Sequence, residues 1–218
     1  MWQRPLIVHL RDRDRFERYL DELYLWAPRL NLTRVLREQA WSRHIEESLH
    51  LLDVANPEPG ARICDLGSGA GLPGIPIPIA RPDVRVVLCE SDSRRAAFLT
   101  HVCGLLELAN AGVAAERAES LGRADGMRES FDAVVTRALA TPAVVCELGL
   151  PLLRVGGRMY ALVADAMAAA HQAQVAASEC GGALPHARGA DVIVVEKVSP
   201  TPDRYPRRVG VPSRRPLV

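Results

Sequence analysis

Three glycines spaced two apart, Gly67, Gly69 and Gly71, follow the short apolar run Ile63-Cys64-Asp65-Leu66. Glycine at the turn from a strand into a helix permits a sharp backbone bend and lets a ligand lie against the chain. A nucleotide-like molecule suits such a turn. Residues Gly69 to Gly74 also satisfy the spacing GxGxxG, a weak dinucleotide signal when it stands alone. A pyrophosphate needs free amides at the helix start, and Pro73 and Pro76 remove two of them. Asp65 places a carboxylate near the turn. These features favour a cationic ligand without phosphates, such as S-adenosylmethionine, over a dinucleotide.

Glu90 ends the next apolar run, Val86 to Cys89, a little over 20 residues beyond the turn, where Rossmann-like folds hold a ribose diol. Its alternative is a surface acid at a helix start, where Ser91, Asp92 and Ser93 offer rival caps. Backbone groups near Ala118 and Glu119 could hold an adenine ring, although spacing alone does not reveal it. Arg137 follows the run Phe131 to Thr136 and places a guanidinium at the sheet edge where open α/β sheets bind ligands.

Short apolar runs alternating with helical stretches position these residues, the pattern of a parallel sheet covered by helices. Strands are predicted at 62–65, 85–89, 112–116, 131–136, 158–163 and 191–198, and helices at 74–80, 93–106, 142–153 and 165–180. Residues 182–188 are a candidate sixth of seven strands, paired antiparallel with the last at a sheet edge, because Pro185 would interrupt a central strand. Upstream, Phe16, Tyr19, Leu20 and Leu23 form the stripe of a helix over 12–26 that Pro28 is expected to stop. Trp41, Ile45, Leu49 and Leu52 mark a second helix over 38–52. Residues 1–58 therefore form a helical cap on a core at 59–198. The Pro- and Arg-rich stretch 199–218 is an ordered extension or a mobile basic arm.

The chain has 218 residues, 48% apolar and 24% charged, which fits one well-buried domain. Its net charge of +1 excludes a strongly basic protein, and Lys197 is its only lysine. Cys64, Cys89, Cys103, Cys146 and Cys180 show no CxxC pair or Cys/His cluster, so neither disulfide frame nor metal site is expected. No apolar stretch approaches the roughly 18 residues of a membrane helix, and the Arg-rich start lacks a secretory segment. A cytoplasmic protein is expected.

The string Gly67-Ser68-Gly69-Ala70-Gly71-Leu72-Pro73-Gly74-Ile75-Pro76, with Arg81-Pro82 after it, resembles the signature of the RsmG (GidB) family. Asn31-Leu32-Thr33, Arg43-His44 with Glu47-Ser48, Phe131-Asp132, Arg137-Ala138 and Gly157 to Leu162 are similar to further family elements, in order. Glu47 stands where the family carries aspartate, Val163 where lysine is common, and Trp26-Ala27-Pro28 replaces the usual WN dipeptide. The resemblance implies a class I methyltransferase fold, a Rossmann-like, mostly parallel seven-stranded sheet with helices on both faces. It implies S-adenosylmethionine as donor and N7 of a guanine in 16S rRNA of the small ribosomal subunit as acceptor. Gly67, Leu72, Ala118 with Glu119, and Arg137 match its cofactor-contacting positions.

Guanine N7 carries a lone pair and no proton, so methyl transfer to it needs alignment and no general base. Asn31 and His44 are candidates for lining the target pocket, the alternatives being a turn asparagine and a buried, satisfied histidine. Arg43, Arg94, Arg95, Arg207 and Arg208 are candidates for RNA phosphates, although Arg43 could instead pair with Glu47. Rival functions are a methyltransferase of this fold acting on a small molecule or protein, a non-catalytic ribosome-associated RNA-binding module, and a NAD-linked oxidoreductase.

Overall fold

The computed structural model describes residues 10–218, in which seven strands form one sheet of order β3-β2-β1-β4-β5-β7-β6. The strands are β1 (Arg62–Leu66), β2 (Arg85–Cys89), β3 (Ala111–Ala114), β4 (Phe131–Arg137), β5 (Leu153–Leu162), β6 (His186–Arg188) and β7 (Val192–Glu196). Pairs β1–β2, β1–β4, β2–β3 and β4–β5 are parallel, and β7 lies antiparallel to both β5 and β6. The candidate sixth strand is therefore present, confined to three residues beyond Pro185 at the sheet edge. Chain order reverses between β1 and β4, and the crevice at their carboxyl ends is the ligand position of open α/β sheets.

Helices α1 (Leu10–Leu30), α2 (Glu47–Ala55), α3 (Pro76–Ala80) and α4 (Ser93–Leu105) cover one face. Phe16, Tyr19, Leu20 and Leu23 of α1 enter one buried cluster with Ile63, Ile75, Leu88 and Leu99, so the cap and that sheet face share a core. On the opposite face lie α5 (Ala118–Leu121), α6 (Pro142–Gly149) and α7 (Ala166–Glu179). Six buried alanines of α7, among them Ala169, Ala173 and Ala176, present a small-residue surface that packs closely on α6 and the sheet.

Several boundaries depart from the pattern-based expectation. Pro28 does not stop α1: the Asn31 amide donates to Ala27 O at 2.9 Å, and the helix ends where Asn31 turns left-handed at φ 50°. Proline removes only its own donor, so near a terminus the last turn survives. The second helix is not uniform, because a 3₁₀ turn (Arg37–Gln39) and a π-helical segment (Trp41–Glu46) precede α2. Strand β3 ends at Ala114 rather than 116, and α5 starts soon after it. Finally, α6 ends at Gly149, a 3₁₀ turn spans Leu150–Leu152, and β5 already begins at Leu153. Exposed Arg154, Val155 and Gly156, the last at φ 87°, form an irregular stretch there that hides the strand from its alternation pattern.

The tail is the ordered alternative. Its segment α8 (Val211–Arg214) packs on α6, and Thr201, Tyr205 and Pro212 are buried. Lys197, fully buried, bolts its start: Nζ donates to Leu150 O at 2.8 Å and to the Thr201 hydroxyl, and lies 3.2 Å from Glu129 Oε1. All five cysteines are free thiols, four of them buried. Among the described residues no helix is long and apolar enough to cross a membrane. Residues 1–9, the beginning of the cap, lie outside the described residues.

Replacing Lys197 by methionine keeps the volume but takes the buried ammonium away from Leu150 O and the Glu129 carboxylate, which retain only the amides of Leu153 and Thr201. Urea unfolding of K197M is expected to show a loss of about 2–3 kcal/mol.

Candidate functional site

A cavity of about 430 Å³ opens at the carboxyl ends of β1, β2 and β4. Gly67, Gly69, Leu72, Glu90, Ala118, Glu119 and Arg137 all line it, so residues spread over seventy positions of sequence meet in one crevice. Glycine is required on the turn: Gly67 and Gly69 have φ of 73° and 54°, and a Cβ on Gly67 would come within 2.3 Å of Leu139 Cδ1.

The turn is closed by its own hydrogen bonds. Amides of Gly67 and Ser68 both donate to Cys89 O, and those of Gly71 and Leu72 to Ser68 O. Gly69 donates to Glu90 Oε2 at 2.9 Å, and Gly74 to Asp65 Oδ2 at 3.1 Å. A pyrophosphate would find almost no free amide here.

Asp65 does not line the cavity, which corrects its expected place in the ligand site. It is fully buried behind the turn, where its carboxylate fastens Gly74, and a Cβ on Gly74 would lie 2.3 Å from Asp65 Oδ2. The charge argument for a cationic ligand therefore does not run through Asp65; the occupied amides argue only against a phosphate-bearing one. Asp65 Oδ1 has no hydrogen-bond partner, and burial lifts the carboxyl pKa to about 7, against the opposing pull of Ser68 and the Gly74 amide.

Glu90 is the polar centre of the cavity. Its two oxygens accept from the amides of Gly69 and Asp92, the latter at 2.7 Å, and the side chain is buried. Each carboxylate oxygen has a second lone pair, so Glu90 can accept from both hydroxyls of a ribose diol without losing its backbone bonds. The rival cap is not Glu90: Asp92 caps α4 through the amides of Arg94 and Arg95. Cys89, also in the lining, is an inert thiol whose pKa burial pushes up to about 12.

Arg137 lines the cavity while its guanidinium reaches into the π-helical segment. It donates to Arg43 O at 2.7 Å and Glu47 Oε2 at 3.1 Å, and lies 3.1 Å from His44 Nδ1. The wide π turn leaves carbonyls such as that of Arg43 open to an outside donor. His44 is buried and faces Thr33 Oγ1 through Nε2 at 2.9 Å. Burial and Arg137 lower its pKa to about 4, which keeps the ring neutral; Nδ1 then donates to Arg43 O, 3.0 Å away, or accepts from Arg137, according to the tautomer. Neither His44 nor Asn31 lines this cavity. His44 positions Arg137, and the exposed Asn31 ends α1, leaving Leu32 as the cap's lining residue.

Of the arginines expected to face RNA, Arg95 lines the cavity, and Arg94 and Arg208 are exposed. Arg43 is exposed and pairs with Glu47 at 3.0 Å. Arg207 is not available in that role, because it grips the fully buried Glu147 at 2.6 Å. Sequence reasoning missed Leu139 and Ser213, both lining residues. Ser213 lies in a stretch without apolar period, so no local signal marks it. Among the described residues no group of three or more His, Cys, Asp or Glu side chains is arranged to hold a metal ion.

The rRNA small subunit methyltransferase G (GidB) family model matches residues 12–183. The chain belongs to that family. Two relatives named ribosomal RNA small subunit methyltransferase G are similar over nearly their whole length. The one from Chloroflexus aggregans is 41% identical, covering 99% of this chain and 94% of its own. That from Roseiflexus castenholzii is 38% identical, covering 95% and 93%. A Thermotoga maritima SAM-dependent O-methyltransferase shares the fold with a TM-score of 0.54 at 14% identity, over 85% of this chain and 73% of that one. As a member of this family the chain is an S-adenosylmethionine-dependent rRNA methyltransferase of the class I fold.

Because native Asp65 holds its proton to higher pH than an unfolded aspartate, whose pKa is about 4, its contribution favours folding at low pH. That contribution is lost as pH rises from about 4 to about 7. Urea unfolding of D65N at pH 5 and pH 8 is expected to show a flatter dependence than the wild type over this interval.

Proposed function

We propose that the cavity binds S-adenosylmethionine and that the chain transfers its methyl group to N7 of a guanine in 16S rRNA of the small ribosomal subunit. Glu90 carries the donor half of this reading: a buried carboxylate with unused lone pairs sits beside a turn whose amides are taken, which suits an adenosine without phosphates. Family membership supports the acceptor half, and N7 is the position the sequence resemblance implies.

The donor, when bound, supplies an electrophilic methyl group. What remains for the protein is placement. Glu90 would hold the ribose hydroxyls, the backbone at Ala118 and Glu119 would border the adenine, and Leu72 and the glycine turn would form the floor. Arg137, fixed by His44, Glu47 and the Arg43 carbonyl, gives this end of the cavity a rigid cationic edge. Residues 138–140 line both the donor cavity and a second one of about 320 Å³ bordered by α6 and α7, which supports reading this segment as the acceptor side. Because N7 needs no deprotonation, the protonated Cys89 and the neutral, buried His44 are consistent with transfer that uses no general base. Arg94, Arg95 and Arg208 remain the candidates for holding phosphates of an unstacked loop. Activity on ribosomal RNA supports reading the protein as cytoplasmic.

Labelled methyl from S-adenosylmethionine, offered with small ribosomal subunits lacking the modification, naked 16S rRNA and small-molecule acceptors, tests the proposal. Label confined to N7 of one guanine, located by strand cleavage, is expected. Donor binding with label only on a small molecule or protein would move the activity to another acceptor.

A further inference from the structure

One wall of the donor cavity lies outside the α/β core. Ser213, five residues from the end of the chain, lines it beside Ala118 and Glu119. Ser213 lies in a stretch without apolar period, so its presence there needs a cause.

The tail is fastened to the core at successive points. After the Lys197 and Thr201 bolt, Arg128 donates to Thr201 O and Tyr205 O at 2.7 and 2.9 Å, and Arg123 donates to Pro206 O at 2.6 Å. Two buried carboxylates then take over. Glu147 on α6, fully buried, accepts from the Arg207 amide at 3.0 Å and from its guanidinium at 2.8 and 2.6 Å. Glu119 on α5, also buried, accepts from the Gly210 amide at 2.8 Å, where the tail turns at φ 77°. Arg207 also donates to Arg215 O at 2.7 Å, which closes residues 207–215 into a loop around Ser213.

Burying two carboxylates is unfavourable unless each has a partner. Here both sit on elements that border the cavity, and both have partners on the tail. Glu119 therefore joins the adenine side of the cavity to the tail through a single carboxylate: its own residue lines the cavity, and its Oε1 holds the turn that presents Ser213.

We infer that residues 207–213 are part of the donor site, with Ser213 a binding residue at its adenine end. Glu147, Arg207, Glu119 and Gly210 are the positioning residues that hold Ser213 there. This rests on reading the cavity as the S-adenosylmethionine site.

Ser213→Trp tests it, because Ser213 is exposed and the larger side chain obstructs the cavity without emptying any packed volume. Calorimetric titration of the full chain with S-adenosylmethionine is expected to show donor affinity weakened about tenfold or more. The unfolding midpoint of the free protein should stay unchanged, and in turnover KM for the donor should rise with kcat within about twofold. E147Q/R207Q, which removes the clamp while leaving neutral hydrogen-bonding groups, is expected to weaken binding in the same direction. S-adenosylmethionine should also slow trypsin cleavage of the wild type after the exposed Arg208 and Arg214, a readout that does not depend on either variant folding. Wild-type donor affinity in S213W, together with no protection at those two sites, would overturn the assignment. Absence of donor binding by the wild type would instead overturn the reading of the cavity itself.

Discussion

Glu90 bridges the two loops that meet at the crevice. One oxygen takes the Gly69 amide of the glycine turn and the other the Asp92 amide before α4. This carboxylate determines the shape of the turn, and with Asp65 behind it the amides that a phosphate would seek are already spent on the protein. The same glycine spacing that elsewhere cradles a pyrophosphate thus becomes a closed loop beside a buried carboxylate. Ligand class here follows from which amides are free, a property that spacing alone does not convey.

Support for the crevice comes from both ends of the chain. On one side the cap reaches the turn directly, since buried Tyr19 donates to Ala70 O at 2.9 Å, and Arg15 pins α1 to the end of α4 through Leu106 O at 2.7 Å. The π-helical segment then receives Arg137 across the sheet edge. On the other side the tail is clamped by Glu147 and Glu119. The core contributes the floor, while the cap supplies Leu32 and the tail Ser213, so the cavity is finished only when both flanking segments are in place.

Much of this was legible in the sequence, for physical reasons that vary by element. The parallel strands β1, β2 and β4 are continuous apolar runs buried on both faces, and their pattern is strong. Gly67, Glu90 and Arg137 could be expected in one crevice because each stands at a fixed distance from a strand end, and all three line the same cavity. Asp65 was assigned to the wrong side of the turn, because a residue number at a strand end does not say which way the side chain faces. The π-helical segment carries no mark in composition, and the roles of His44 and Arg207 depend on partners 93 and 60 residues away. Long-range pairing of that kind leaves no local periodicity to read.

The most direct measurement is calorimetric titration of the wild type and of Glu90→Gln with S-adenosylmethionine and, in parallel, with NAD. The glutamine keeps the length of the side chain, but its amide nitrogen must oppose one of the two backbone donors and can no longer accept from a ribose hydroxyl there. Wild-type binding of S-adenosylmethionine at one site per chain, no binding of NAD, and a loss of about tenfold or more in E90Q are expected. NAD binding by the wild type, or undiminished S-adenosylmethionine affinity in E90Q, would overturn the reading of the turn and of Glu90 as its diol acceptor.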